Sequence, residues 1–118
     1  MDNPMDSILL SVKKMLGIVP EYTHFDGDLI IHINSVLSIL TQLGVGPDEG
    51  YSISGVSDKW SSFVQPSHLL EMAKSYTYMK VRMLFDPPTG GAVSEAMKQQ
   101  IAEYEWRITV AVDEMARL

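Results

Sequence analysis

The chain has 118 residues, 46% of them apolar, and 9 basic against 15 acidic side chains give a formal charge of −6. This length supports one small domain with a modest core, and the acidic balance argues against a duplex nucleic-acid binder that grips phosphate with a basic face. The absence of cysteine removes disulfide scaffolds, thiolate zinc sites and thiol nucleophiles.

Residues 1–6 are polar and read as a loose N-terminus. They carry acidic residues where a secretion signal needs positive ones, so a soluble chain without a cleaved signal is expected. A first helix is predicted from Ser7 to Leu16, capped by Asp6 or Ser7, with Ile8, Val12, Met15 and Leu16 on one face. Lys13 and Lys14 sit near its end, where the helix dipole favours cations, and Gly17 fits the left-handed stop.

After a connector from Ile18 to Phe25, a second helix starts at Asp26 or Asp28 and runs to Leu43. Its stripe is Leu29, Ile33, Val36, Leu37, Leu40 and Leu43, widened by Ile30, Ile31 and Ile39, with Gly44 as the stop. No charged residue occurs between Asp28 and Asp48, a run long enough to cross a bilayer. His32, Asn34, Ser35, Ser38, Thr41 and Gln42 interrupt it, however, and such groups are costly in hydrocarbon. The prediction is a central helix packed by protein on most sides, and no membrane association.

Residues 44–66 form a long loop rich in glycine, proline and serine. Tyr51, Ile53 and Val56 suggest an extended piece, and Asp58–Val64 a short helix with Trp60, Phe63 and Val64 on one side. A loop of this length either wraps the core or touches a partner. The third helix runs from the Ser67 cap to about Phe85, with Leu69, Met72, Ala73, Tyr76, Met79 and Met83 as its stripe. Asp86-Pro87-Pro88 stops it, because a residue before proline avoids the helical region. The fourth helix, from about Ala92 to Ala116, is the longest. Val93, Met97, Ile101, Tyr104, Ile108, Val112 and Met115 recur in a near-heptad pattern, which permits a coiled-coil contact. The fold class is therefore all-α: a small bundle of about four main helices with a long loop carrying a short helix, forming one domain over 1–118.

No residue set for chemistry emerges. His24, His32 and His68 lack metal-ligand spacing, and His32 reads as a core histidine bonded to a carbonyl. Asp26-Gly27-Asp28 resembles the start of a calcium loop, but Leu37 stands where the closing acid is needed, so helix capping explains both aspartates. Gly44-Val45-Gly46 lacks the lysine and hydroxyl of a phosphate loop, and no serine sits in a nucleophile elbow. Catalytic, cofactor-binding and metal residues are accordingly none, and an enzyme is not expected. The eight methionines read first as gap-filling core and only second as an adaptive binding surface. Trp60 either covers the core or anchors a partner. Trp106 lies off the seam of the fourth helix and points to a neighbouring chain.

Four segments resemble one family. They are ILLSVKKMLGI at 8–18, HINSVLSILTQLGVGP at 32–47, the Trp60 and Phe63 segment, and YMKVRMLFDPPTGGAVSEAMKQQIAEYEWRI at 78–108. Together they resemble the head–tail connector (adaptor) proteins of tailed phages and prophages over about Ser7 to Thr109, leaving 110–118 as a phage-specific extension of the last helix. The resemblance implies an all-helical subunit of a dodecameric ring beneath the portal protein. That ring would extend the DNA channel and dock a tail or stopper protein, with DNA passing through without specific binding. It implies a virion protein of the head–tail junction, made in the host bacterial cytoplasm, and no enzyme activity. Tyr51, Ile53, Trp60 and Phe63 of the loop and Trp106 of the last helix are the candidate interface residues. The alternative is a cytosolic phage-encoded helical module or regulator that dimerises through its C-terminal helix.

Overall fold

The computed structural model describes residues 4–116. Among these residues the chain is 67% helical and has no strand, so the all-α expectation holds. The helices are α1 (Ile8–Met15), α2 (Asp26–Gln42), α3 (Trp60–Phe63), α4 (His68–Phe85) and α5 (Gly91–Ala116). A 3₁₀ turn at Pro4–Asp6 precedes them. The predicted loose terminus is therefore ordered where it is described: Asp6 accepts from the Ser61 hydroxyl at 2.7 Å. Residues 1–3 and 117–118 lie outside the described residues.

Local chemistry sets the helix ends. Ser7 and Ser67 accept from the amides of Leu10 and Leu70, both at 3.2 Å, capping α1 and α4. Gly17 and Gly44 take φ of 80° and 98° just past α1 and α2. In each case the amide after the glycine turns back into the last helical turn: Ile18 to the Lys13 carbonyl, and Val45 to the Leu40 carbonyl, both at 2.9 Å. That 6→1 bond closes the helix around a left-handed residue, which glycine adopts without a Cβ penalty. The two aspartates of α2 are not its cap. Phe25 occupies that position without a side-chain bond, and Asp26 and Asp28 lie in the first turn, where the helix dipole favours carboxylates.

The hub is α4. It packs against α2 on one side and α5 on another, and it touches α1. This two-sided packing explains why its buried set is wider than one stripe. Leu69, Leu70, Ala73, Tyr76, Thr77 and Val81 are buried, whereas the predicted Met72, Met79 and Met83 are half-buried at the edge. Thr77 is accommodated by donating its hydroxyl to the Ala73 carbonyl at 2.7 Å. The predicted central position of α2 is corrected accordingly. Leu29, Ile33, Val36, Leu37 and Leu40 are fully buried, but Ile31 is 65% exposed and Ser35 and Ser38 face solvent. Its uncharged sequence reflects a short, weakly polar outer face rather than burial all round. No helix among the described residues is long and apolar enough to cross a membrane.

On α1 the buried set is Ile8, Leu9 and Val12, while Met15 is 59% exposed. Lys13 is not a solvated dipole partner but is 1% exposed. Its ammonium reaches Asp26 Oδ1 at 2.8 Å and donates to the carbonyls of Pro20 at 3.1 Å and Tyr22 at 2.9 Å. One buried cation thus ties the 16–25 connector to both helices it joins.

The long loop wraps the core. The Asn34 side chain of α2 clips it by accepting from the Ile53 amide at 2.7 Å and donating to the Ile53 carbonyl at 3.0 Å. Asp58 Oδ2 then accepts from the amides of Ser54 and Gly55, at 2.7 and 3.2 Å. Gly46 is required by space as well as by its φ of 81°, because a Cβ there would lie 2.5 Å from the Phe63 ring.

Candidate functional site

The predicted interface residues divide into two groups. Ile53, Trp60 and Phe63 are 4%, 1% and 3% exposed. Trp60 donates its indole N–H to the Ser11 hydroxyl at 2.8 Å, and its ring lies 6.4 Å from that of Phe63. These three therefore belong to the core of the protomer itself, which corrects the expectation that they face a partner. Apolar burial and a satisfied indole N–H explain the placement. Tyr51 is half-buried beside them, its ring 5.6 Å from Phe63. Trp106 alone of the five stands in solvent, at 67% exposure.

Helix α5 explains that exposure. Only Ile101 and Ile108 of its 26 residues are buried. Met97, Tyr104, Ala111 and Val112 complete the contact with the rest of the fold. The centre of the near-heptad seam is thus occupied within the protomer. Its two ends, Val93 and Met115, are 57% and 58% exposed. At about 100° per residue, Trp106 lies about 160° round the helix from Ile108 and so faces directly outward. On the inward side Tyr76 is completely buried and donates to Glu105 Oε2 at 2.6 Å. Burial, and then the carboxylate it bonds, push the Tyr76 phenol well above the usual tyrosine range.

Between α1, α4 and α5 lies an open groove of about 450 Å³, lined by Met5, Met15, Trp60, Tyr78, Met79 and Tyr104, with Lys14 and Lys74 also on its walls. Sequence patterning assigned Met79 to the apolar stripe of α4 and gave no reason to group these residues. The one hint was the methionine excess, since flexible thioethers suit irregular apolar surfaces.

The histidines take no part in a common site. His24 is exposed and edge-on to Phe25, at 4.7 Å between ring centroids, and His68 is the exposed first residue of α4. His32 is half-buried with its ring 6.5 Å from Phe85, a surface-edge contact in place of the predicted core position. Among the described residues no group of three or more histidine, aspartate or glutamate side chains could hold a metal ion.

The geometry is that of a helical subunit with outward apolar features on α5 and an apolar groove on the adjoining face. The sequence model of the phage connector protein family matches residues 8–115. The chain belongs to the phage connector protein family. No curated protein and no solved structure matches it. In this connector the family match continues past Thr109 through residue 115, so 110–115 are part of the family pattern and not a phage-specific extension. The role of a phage head–tail connector accordingly attaches to the whole α1–α5 unit rather than to a short motif within it.

Proposed function

We propose that this connector forms a dodecameric ring beneath the portal protein, continues the DNA channel below it, and offers its outer ends to a tail or stopper protein. The observation that carries the reading is the family match over residues 8–115. The role is mechanical and non-enzymatic, and the place of action is the head–tail junction of the virion, after synthesis in the host bacterial cytoplasm. The formal charge of −6 supports a channel that DNA traverses without being held, because an acidic lining repels phosphate. Trp106 is the subunit-contact residue of this reading, and half-buried Tyr51 lies on the loop surface that a neighbour would meet. Ile53, Trp60 and Phe63 act indirectly, by fixing the shape of that loop.

Electron microscopy of the purified chain mixed with portal tests the reading. A ring of connector stacked on the portal is expected. A chain that remains unbound, or a stable dimer indifferent to portal, would overturn it and favour a regulator. The coiled-coil form of that alternative has little support, since Ile101 and Ile108 at the centre of the seam are already covered by the protomer.

A further inference from the structure

We propose that Trp106 of one subunit seats in the α1–α4–α5 groove of the next subunit, so that every copy supplies one half of the contact and receives the other. The inference rests on the ring reading above and names the two surfaces that would build the ring.

Three observations carry it. The first is chemical fit. Trp106 is 67% exposed, on a helix face where Glu95, Ala102, Glu103 and Asp113 are exposed as well. The groove offers methionine and aromatic walls in a volume of about 450 Å³. An indole is a common anchor of protein interfaces when it enters an apolar pocket, and thioethers adapt to it and make favourable sulfur–aromatic contacts.

The second is charge. Lys14 and Lys74 line the groove, with Lys74 also 3.5 Å from Glu71. On α5, Glu95, Glu103 and Asp113 are exposed and lie within about 60° of Trp106 around the helix. Glu103 is partly offset by Arg107 at 3.8 Å. The indole is therefore carried on an acidic face, and the groove has basic walls. Two Trp106 faces meeting each other would instead bring like charges together, which disfavours a two-fold contact and favours a head-to-tail one.

The third is direction. Tyr104 and Gln100, the α5 residues on the groove wall, lie about 160° and 120° round the helix from Trp106. With α5 along the ring axis, a closed ring of about twelve copies needs its two contact faces about 150° apart. Were α5 to run along that axis, the donor and receiver faces would bracket the angle and the contact would close on itself rather than grow a filament.

The absence of native cysteine makes the contact directly testable by disulfide trapping. Ala102→Cys stands on the outer face one turn before Trp106, and Met15→Cys stands in the groove. The full chain would be assembled with portal, or alone at high concentration, and mildly oxidised. The doubly substituted chain is expected to give a ladder of covalent multimers, and each single variant none. Adding Trp106→Ala should remove the ladder and weaken assembly at least tenfold, while its melting temperature stays at the parent value because the side chain is exposed. Lys14→Glu with Lys74→Glu should weaken assembly in the same direction. A ring without the 15–102 cross-link, or a ring that survives Trp106→Ala, overturns the groove contact and leaves the ring reading standing. A ring that persists in Trp106→Ala but no longer binds portal gives the indole to the portal and likewise overturns the contact. No ring under either condition overturns both.

Discussion

Replacing Lys13 by methionine tests how the connector between α1 and α2 is held. The Lys13 ammonium is 1% exposed and meets three acceptors, Asp26 Oδ1 and the carbonyls of Pro20 and Tyr22. Methionine fills similar volume but removes all three bonds. Losing one partner of a buried ion pair costs about 3–5 kcal/mol, because the remaining charge is left without compensation. Here the Asp26 side chain keeps 22% exposure, and Pro20 and Tyr22 lie on an exposed loop, so water can partly replace the cation. The expected loss is about 3 kcal/mol, at the low end of that range. For a chain of this size that lowers the melting temperature by about 10–15 °C. Urea unfolding followed by far-UV circular dichroism reads the change as a lower midpoint at unchanged slope. Added salt should alter it little, since the Lys13 ammonium is itself 1% exposed. Pairing Lys13→Met with Asp26→Leu should restore stability to within about 1 kcal/mol of the parent, because an apolar pair then replaces the ionic one. A Lys13→Met chain as stable as the parent would refute the reasoning, showing that the buried cation adds nothing beyond its packing.

Gly46→Ala should cost about 3 kcal/mol, from the positive φ and the Phe63 ring 2.5 Å from the new Cβ. Gly17→Ala, with φ of 80° and open space around it, should cost only about 1 kcal/mol; thermal melts that rank the two the other way would sink the steric account. Asn34→Ala removes both bonds to Ile53 and should cost about 2 kcal/mol. Protease nicking should then appear first within 47–57, and an unchanged cleavage pattern would count against the clip. Tyr76→Phe should lower stability near neutral pH by about 1–2 kcal/mol. The folded Tyr76 holds its proton above the ordinary value, so its contribution is complete below about pH 10, where the unfolded phenol titrates, and fades as pH rises beyond. The phenylalanine variant should therefore lose stability less steeply above pH 10 in alkaline unfolding; parallel curves would argue against this linkage.

Helix positions were legible in the sequence because punctuation and periodicity agreed. Ser7, Gly17, Gly44, Ser67 and Asp86-Pro87 each mark an observed boundary within a residue or so. What periodicity could not supply was the number of neighbours each helix would have. A stripe calculation assumes one buried face, so it placed Met72 and Met83 ahead of Leu70 and Val81 on α4, which is covered from two sides. It also made α2 central on the strength of its apolar content. The burial of Lys13 is hidden in the sequence for a related reason. Its position in the last turn of α1 has a sufficient local explanation in the helix dipole, and only the return of the chain at Asp26 reveals the buried pair. Trp60 and Trp106 illustrate the same limit from opposite directions. A loop tryptophan was free to be core or anchor, and the Ser11 hydroxyl that receives its N–H is 49 residues away in sequence. The outward position of Trp106 is legible because a helix wheel needs only its own neighbours.

The distribution of restraint along the chain bears on how such a subunit would work. The first three helices and the long loop are cross-tied by Lys13, Asn34 and Trp60, each bonded to a segment other than its own, and by the Asp58 carbonyl, which accepts from the Ile8 amide at 3.0 Å. By contrast, α5 is attached chiefly through α4, with two buried side chains in 26 residues. At about 1.5 Å per residue it is about 39 Å long, and its outer face carries the exposed Trp106. Association through that face would therefore stabilise the least-fastened helix and leave the loop-wrapped half almost unchanged.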